Sequence, residues 1–202
     1  MASQSADASV PDRIGPYRVV GRLGAGGMGV TYAAEDERLG RLVALEVLRA
    51  GTGDPVARQR LVREARTAAA VSHPRICQVF ELGDWNGEPF IAMELLEGEP
   101  LSARLGGGAL PPPEALAIAR SVVEALEVLH GRGIAHRDLK PSNIFVTPVG
   151  VKVLDFGLAR PIDEGQGETA EALTAAGTFV GTPQYASPEQ LTGGRRSSCD
   201  RA

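Results

Sequence analysis

Lysine and cysteine are scarce in this sequence. Lys140 and Lys152 are the only lysines among 202 residues, and Cys77 and Cys199 are the only cysteines. The two cysteines have no metal-ligand spacing, a usage typical of a reducing, cytoplasmic compartment. No apolar run is long enough to span a membrane, and residues 1–13 lack the apolar core of a signal peptide. The sequence therefore predicts a cytoplasmic protein without a membrane segment.

An excess of basic residues is also absent. The formal net charge is −4 at pH 7, with 23% charged and 43% hydrophobic residues. This composition is ordinary for a soluble globular protein and offers no basic surface to a nucleic acid. At 202 residues the chain can bury one substantial core or two small lobes. We therefore expect no nucleic-acid partner.

Period-two patterns dominate the first half of the chain, after a small, polar lead over residues 1–15 that predicts disorder. Residues 17–23 alternate as a strand does, glycines interrupt, and the alternation resumes at Val30, which predicts a hairpin around a glycine loop. Asp54 followed by a proline predicts a helix start. Further strands are predicted at 42–48, 78–82 and 89–95.

The second half begins with a glycine-rich stretch over residues 98–108, which marks a change of lobe. A long helix is predicted over 112–130, and a hairpin over 144–146 and 151–154. Residues 158–180 are polar and aperiodic, which predicts a mobile loop. One apolar stripe of the helix, expected to lie in the core, contains Leu116, Ala119, Val122, Val123, Leu126 and Leu129.

Two motifs in this half contain the residue types that phosphoryl transfer needs. Residues 136–143 read His-Arg-Asp-Leu-Lys-Pro-Ser-Asn, and Asp155-Phe156-Gly157 follows with its aspartate 17 positions after Asp138. One carboxylate must orient or accept the proton of an attacking hydroxyl, and other oxygen ligands must hold Mg²⁺ against the nucleotide phosphates. Alone, His136 would be interpreted as a core residue and Lys140 as a surface residue. Their combination with Asn143 and Asp155 is far more specific for phosphoryl transfer.

These motifs resemble those of bacterial, eukaryotic-like serine/threonine protein kinases. The resemblance implies an α+β, two-lobed fold with a five-stranded antiparallel sheet and one helix in an N-lobe over residues 16–97. It implies a partial helical C-lobe over 98–191 and an irregular tail over 192–202. It also implies ATP and Mg²⁺ as cofactors and a protein Ser/Thr hydroxyl as substrate, and it allows a kinase homodimer.

The resemblance also assigns roles to individual residues. Asp138 corresponds to the catalytic base, and Lys140 steadies the transferred phosphoryl group. Asn143 and Asp155 correspond to the Mg²⁺ ligands. The regulatory positions, where a phosphate on the activation segment would meet an arginine, are Arg137, Thr174, Thr178 and Thr182.

The glycine loop and the strand end near Met93 correspond to the nucleotide site of that family. A dinucleotide-binding fingerprint is the alternative, since Glu46 follows the glycines at ~20 positions, but that fold needs a helix where this chain predicts a strand. The strand favours the kinase-type loop, in which Thr31 stands where the family usually has valine. The implied nucleotide-binding residues are Leu23, Gly24, Gly26, Gly29, Val30, Ala44, Met93, Glu94 and Leu96.

Glu46 is the main departure from the family pattern, because it occupies the position of the lysine that contacts the nucleotide phosphates. In the family this lysine also pairs with a helix glutamate, which corresponds to Glu64 here. Glu46 would therefore repel both Glu64 and the nucleotide phosphates, where the lysine attracts them. Arg41 and Arg49 have the opposite strand parity to Glu46 and should point away from it. We therefore expect an impaired kinase.

The resemblance extends over about residues 16–191, whereas the family continues with large helices that cover the long C-lobe helix. Without those helices, apolar surface on residues 112–130 should be exposed. Two other interpretations follow from these departures. One is a pseudokinase that binds nucleotide or acts as a scaffold, and the other is a non-functional kinase fragment.

Overall fold

The computed structural model describes residues 10–26, 29–48, 65, 68–136, 138–154 and 183–187. The chain divides into two compact units. The first unit comprises Met1–Ser72 and Cys77–Glu97, and the second comprises His73–Ile76 and Gly98–Ala202. Within the described residues, no helix is both long and apolar enough to cross a membrane.

The first unit is built on one antiparallel sheet with strand order β1-β2-β3-β4-β6-β5. The alternating patterns of the sequence account for the five longer strands of this sheet. Residues 65, 68 and 69 are helical. The strands are β1 (Arg13–Ile14), β2 (Tyr17–Ala25), β3 (Gly29–Asp36), β4 (Arg41–Leu48), β5 (Val79–Trp85) and β6 (Glu88–Glu94).

The sheet has six strands, whereas five were predicted, because the prediction missed the short strand β1. The predicted disordered lead over 1–15 was also wrong for Arg13–Ile14. Ile14 is fully buried, and Gly15 turns the chain with a φ of 55° so that β1 pairs with β2. Two residues are too few to produce a visible alternation, which explains why the sequence pattern missed this strand.

The core of the first unit lies on one face of the sheet. Val43, Leu45 and Val47 alternate along β4, and each is at most 6% exposed. They pack in one cluster with Tyr17 and Phe90, whose rings meet edge to face with centroids 5.8 Å apart. Residues at the intervening positions of β4 therefore lie on the other face of the sheet.

A buried carboxylate stabilises the turn between β3 and β4. Asp36 is 1% exposed, and its Oδ1 accepts hydrogen bonds from Arg38 Nε and the Arg38 backbone at 3.1 and 3.2 Å. The Arg38 guanidinium holds the pKa of this carboxyl below its usual range. Arg38 also donates to Glu81, which accepts the Tyr17 hydroxyl at 2.6 Å. This polar network therefore joins β2, β3 and β5.

The described residues of the second unit form two helices and a three-stranded sheet of order β7-β8-β9. Short 3₁₀ turns span Pro141–Asn143 and Pro183–Tyr185. Helix α1 lies in the glycine-rich stretch that predicted only a change of lobe, and its first residue, Leu101, is buried. The elements are β7 (Glu99–Pro100), α1 (Leu101–Gly106), α2 (Pro112–His130), β8 (Ile144–Thr147) and β9 (Gly150–Val153).

Helix α2 has the predicted bounds, but its buried face matches the predicted stripe only in part, at Val122 and Leu129. Leu116 and Val123, expected in the core, are 73% and 56% exposed. Apolar residues occupy several faces of this helix, so their spacing alone did not select the buried face. The expectation of exposed apolar surface on this helix is met at these two residues. The buried residues of the helix are Ile118, Ser121, Val122, Ala125 and Leu129.

Gly29 allows strands β3 and β4 to approach closely beside the glycine loop. A Cβ at this position would lie 2.1 Å from the Val47 carbonyl oxygen, whereas a Cβ at Gly21 would meet nothing within 4 Å. We predict that Gly29→Ala lowers the free energy of unfolding by about 1–3 kcal/mol, because the backbone must shift. Gly21→Ala is the matched control. Urea denaturation checks the pair, and equal stability of the two variants would contradict the close-approach argument.

Candidate active site

The glycine loop joins β2 and β3 as a hairpin. The Gly26 amide donates a hydrogen bond to the Gly29 carbonyl at 2.9 Å across the turn. An added Cβ at Gly24 or Gly26 would meet no atom within 4 Å in the described part of the chain. Packing inside the unit therefore requires glycine at position 29 but not at positions 24 and 26. The absence of side chains at 24 and 26 would allow a ligand to approach the backbone closely.

Strand register places Glu46 on the sheet face opposite the core. Glu46 pairs with Thr31 of β3 and Ile91 of β6 and is half-buried. Arg41 has the opposite strand parity to Glu46, as predicted. The guanidinium carbon of Arg41 lies 3.7 Å from the centroid of the Phe80 ring. Arg49 lies outside the described residues.

The end of β6 contains the predicted hinge residues. Met93 pairs with Ala44 across β4 and β6, so these two predicted nucleotide-binding residues are neighbours. The Glu94 amide donates to the Gln78 carbonyl at 2.9 Å, which holds the strand end in place. Leu96 follows β6 and is half-buried.

Two predicted contact residues flank the glycine loop. Leu23 is 55% exposed, and Val30 is half-buried. The first unit therefore brings the predicted nucleotide-binding residues together on the glycine hairpin and on β4 and β6.

The second unit positions its polar residues through the 3₁₀ turn that precedes β8. Pro141 begins this turn, where its missing N–H is not needed. The Asn143 amide donates to the Lys140 carbonyl, and the Leu154 amide donates to the Asn143 carbonyl, both at 2.9 Å. The backbone of Asn143 is therefore fixed from both sides.

The side chains of this loop converge on the Asp138 carboxylate. Lys140 Nζ lies 2.6 Å from Asp138 Oδ2, and Asn143 Nδ2 donates to the same oxygen at 3.0 Å and to the Asp138 carbonyl at 2.9 Å. Asn143 is 5% exposed, whereas the Asp138 and Lys140 side chains retain 29% and 21% exposure. The Asp138 carboxyl group is therefore fixed in position and still partly exposed.

His136 belongs to this arrangement, although the sequence reasoning gave it no role. The His136 ring is buried, and its Nε2 donates a hydrogen bond to the Leu154 carbonyl at 2.9 Å. Because a carbonyl oxygen can only accept, Nε2 carries the proton and Nδ1 of the neutral ring does not. Burial lowers the pKa of His136. The ring therefore ties the start of the loop at 136–143 to Leu154. Its position in the motif was visible, but a partner 18 positions away was not.

Six predicted site residues lie outside the described residues. Their predicted roles remain predictions. These residues are Glu64, Arg137, Asp155, Thr174, Thr178 and Thr182.

Comparison with known proteins identifies the family. The sequence model of the protein kinase domain matches residues 17–201. The chain belongs to the protein kinase domain family. It is 41% identical over 187 residues to the serine/threonine-protein kinase PknD of Mycobacterium tuberculosis, covering 91% of this chain and 27% of PknD. It is 38% identical over 191 residues to the serine/threonine-protein kinase pkn2 of Myxococcus xanthus, covering 90% of this chain and 22% of pkn2.

Solved structures agree with this family and confirm the two-lobed kinase fold class. The crystal structure of the Mycobacterium tuberculosis PknI kinase domain matches with a TM-score of 0.66 and 34% identity, covering 73% of this chain and 62% of that one. The M. tuberculosis kinase PknA is 41% identical, and the match covers 42% of its length. The chain therefore spans less than half the length of these curated relatives and about three fifths of the solved kinase domain.

Protein kinases use ATP and typically Mg²⁺. Asn143 fits a Mg²⁺ ligand, because its amide nitrogen faces Asp138 and its amide oxygen is the kind of hard donor that Mg²⁺ prefers. In the described part of the chain, no three histidine, cysteine, aspartate or glutamate side chains cluster as a metal site. Asn143 is thus the one predicted metal ligand whose geometry is described.

The buried, neutral His136 should make stability depend on pH. Its pKa is lowered from 6.5, so below that pH the unfolded chain binds a proton that the folded chain resists. The free energy of unfolding should therefore fall as the pH drops below 6.5, with a slope from this residue of at most about 1.4 kcal/mol per pH unit. His136→Gln keeps a donor for Leu154 but does not titrate in this range, so it should flatten the slope.

Urea denaturation between pH 5 and 7.5 measures this slope. His130→Gln is the control, since His130 is exposed at the end of α2. An unchanged slope in the His136→Gln protein would show that another group determines the acid sensitivity.

Proposed function

We propose that this chain carries the catalytic part of a serine/threonine protein kinase that transfers the γ-phosphate of ATP to a protein hydroxyl. The observation that supports this most strongly is the Asp138 carboxylate, held at one oxygen by Lys140 and Asn143. A carboxylate fixed in this way and still partly accessible suits the orientation of a substrate hydroxyl.

Each residue of the loop has a distinct task in this proposal. Asp138 aligns the attacking hydroxyl and receives its proton, and both of its described side-chain contacts fall on Oδ2. Lys140, 2.6 Å from that oxygen, stabilises negative charge as the phosphoryl group moves. The Asn143 amide oxygen, with Asp155, would hold Mg²⁺, which when bound neutralises charge on the nucleotide phosphates.

The first unit supplies the nucleotide-binding part of the proposal. The open backbone at Gly24 and Gly26 suits close approach of phosphates, and the Ala44–Met93 pair offers an apolar surface to adenine. Glu46 opposes this function, because it stands where the family has a lysine that attracts a nucleotide phosphate. One such attraction between unit charges, at ~4 Å and an effective dielectric of ~20, is worth about 4 kcal/mol. Losing one such term in the transition state would slow transfer by roughly a thousandfold.

A pseudokinase that binds nucleotide without turnover is the second candidate, and Glu46 is the observation that favours it. A thermal shift separates this scaffold from a non-functional fragment. A folded chain stabilised by millimolar ATP and Mg²⁺ supports nucleotide binding, whereas a chain that melts without cooperativity supports the fragment.

Partners and location complete the proposal. A protein Ser/Thr substrate follows from the kinase assignment. The acidic net charge supports the absence of a nucleic-acid partner. A cytoplasmic location rests on the two cysteines without metal spacing, and a kinase homodimer remains a prediction from the family resemblance.

If the chain is active, Thr174 and Thr178 should be autophosphorylated, because they precede Thr182 in the activation segment and a phosphate there can pair with Arg137. Asp138→Asn should abolish this signal, since the amide cannot accept the hydroxyl proton. Intact-mass spectrometry after incubation with ATP and Mg²⁺ measures the added phosphates.

The control is nucleotide binding by the Asp138→Asn protein, which should be unchanged because Asp138 acts on the hydroxyl. Phosphate that persists in this variant would reveal a contaminating kinase. If neither protein gains phosphate while both bind nucleotide, the pseudokinase is the correct function.

A further inference from the structure

Four residues, His73–Ile76, belong to the second unit although the chain on either side of them belongs to the first. They form a tight turn in which the Ile76 amide donates to the His73 carbonyl at 3.0 Å. Pro74 occupies the second position of this turn, where its fixed φ is suitable. The Arg75 amide donates to His73 Nδ1 at 3.3 Å. The turn therefore holds the backbone of Arg75 in a defined position.

Backbone contacts join this turn to strand β9. The Val153 amide donates to the Arg75 carbonyl at 2.8 Å, and Ile76 forms a parallel bridge with Val153. Ile76 and Val153 are 1% and 0% exposed. The turn is therefore paired with the last residue of β9 in a buried environment.

The Arg75 side chain reaches the other end of β9 and helix α2. Its guanidinium lies beside Gly150, the first residue of β9, where an added Cβ would be 2.2 Å from Nη1. Its Nε donates to Glu124 Oε2 on α2 at 3.3 Å. The hydrogen bond from Arg75 holds the pKa of the Glu124 carboxyl below its usual range. Arg75 therefore contacts both ends of β9 and links this strand to α2.

The residue after β9 connects the strand to the loop at 136–143. The Leu154 amide donates to the Asn143 carbonyl at 2.9 Å, and the Leu154 carbonyl accepts His136 Nε2 at the same distance. The Asn143 side chain in turn donates to the Asp138 carboxylate at 3.0 Å. A displacement of β9 would therefore move both backbone groups that hold the loop, and the Asp138 carboxylate with them.

We propose that Arg75 is a positioning residue for the phosphoryl transfer proposed above. By holding β9 against α2, it keeps Leu154 in place, and through Leu154 it keeps the Asp138 carboxylate where a substrate hydroxyl can be aligned. Arg75 acts through the strand and not on the reacting groups. The inference rests on the proposed function and adds to it a residue that is distant in sequence from the loop.

Amide hydrogen exchange followed by NMR tests the structural part of this inference. An ion pair with side chains 32% and 36% exposed contributes little to global stability, so Arg75→Ala should loosen the strand locally. Exchange at the Leu154 and Asn143 amides should become faster by about fivefold or more, because local opening exposes both. The Ala125 amide in the middle of α2 should keep its rate, which shows that the unit is folded.

Arg120→Ala is the matched control. Arg120 donates to Oε1 of the same Glu124 carboxylate at 3.1 Å, but this pairing stays within α2 and the Arg120 side chain is 81% exposed. The control therefore removes the same charge from the same carboxylate and leaves the contact with β9, so exchange at Leu154 should not change. Arg75→Lys keeps the charge and should be intermediate, and it provides the comparison if the alanine protein does not fold.

Autophosphorylation tests the catalytic part. At saturating ATP and Mg²⁺, the initial rate measured by intact-mass spectrometry should fall about tenfold in Arg75→Ala, because a small misplacement of a catalytic group slows transfer. Arg75→Lys should recover part of the rate, and Arg120→Ala should equal the unmodified chain. Adenosine affinity should be the same in all four proteins, since the predicted adenine contacts lie in the first unit.

The possible outcomes separate this inference from the proposed function. An unmodified chain that transfers no phosphate overturns the proposed transfer, and the role of Arg75 in it. In a chain that does transfer phosphate, a Leu154 amide with the same exchange rate in the Arg75→Ala protein overturns the inference alone. Faster exchange with an unchanged rate of transfer also overturns it, as does an equal effect of Arg120→Ala, because the Glu124 charge balance would then be responsible.

Discussion

Burial of alternate residues along β4 is the constraint on which the face proposed to bind nucleotide depends. Val43, Leu45 and Val47 lie in the core, and a slip of one residue would move all three to the opposite face of the sheet. The neighbouring strands on both sides hold this register. Glu46 is consequently fixed on the opposite face, beside the glycine loop. The core thus fixes the face of the carboxylate that the sequence resemblance aligns with the kinase lysine.

The second unit depends in a comparable way on Asn143. Its backbone joins the 3₁₀ turn to Leu154, and its side chain holds Asp138. His136 reaches the same Leu154 backbone from the other end of the loop. The contacts that fix this loop do not involve residue 46, so the proposed phosphoryl-transfer geometry does not depend on the charge at that position.

The sequence predicted elements where a strong local pattern or a specific motif was present. Strand β4 and the hairpin of β8 and β9 are of this kind, and the motif at 136–143 correctly indicated the family. Strand β1 was missed because the burial of Ile14 depends on tertiary contacts, and α1 was missed because its surroundings are rich in glycine. The buried face of α2 and the His136–Leu154 bond depend on partners distant in sequence, which no local pattern specifies.

The most direct test of this account is the rate of phosphotransfer when residue 46 is changed. Glu46→Lys restores the phosphate contact, whereas Glu46→Met removes only the repulsion. Both are compared with the unmodified chain by transfer of labelled phosphate from ATP to a protein substrate, with each chain fused to the remaining part of a relative's kinase domain. The account predicts that Glu46→Lys is faster than the parent by roughly a hundredfold or more, with Glu46→Met in between. Equal rates in all three proteins would contradict it.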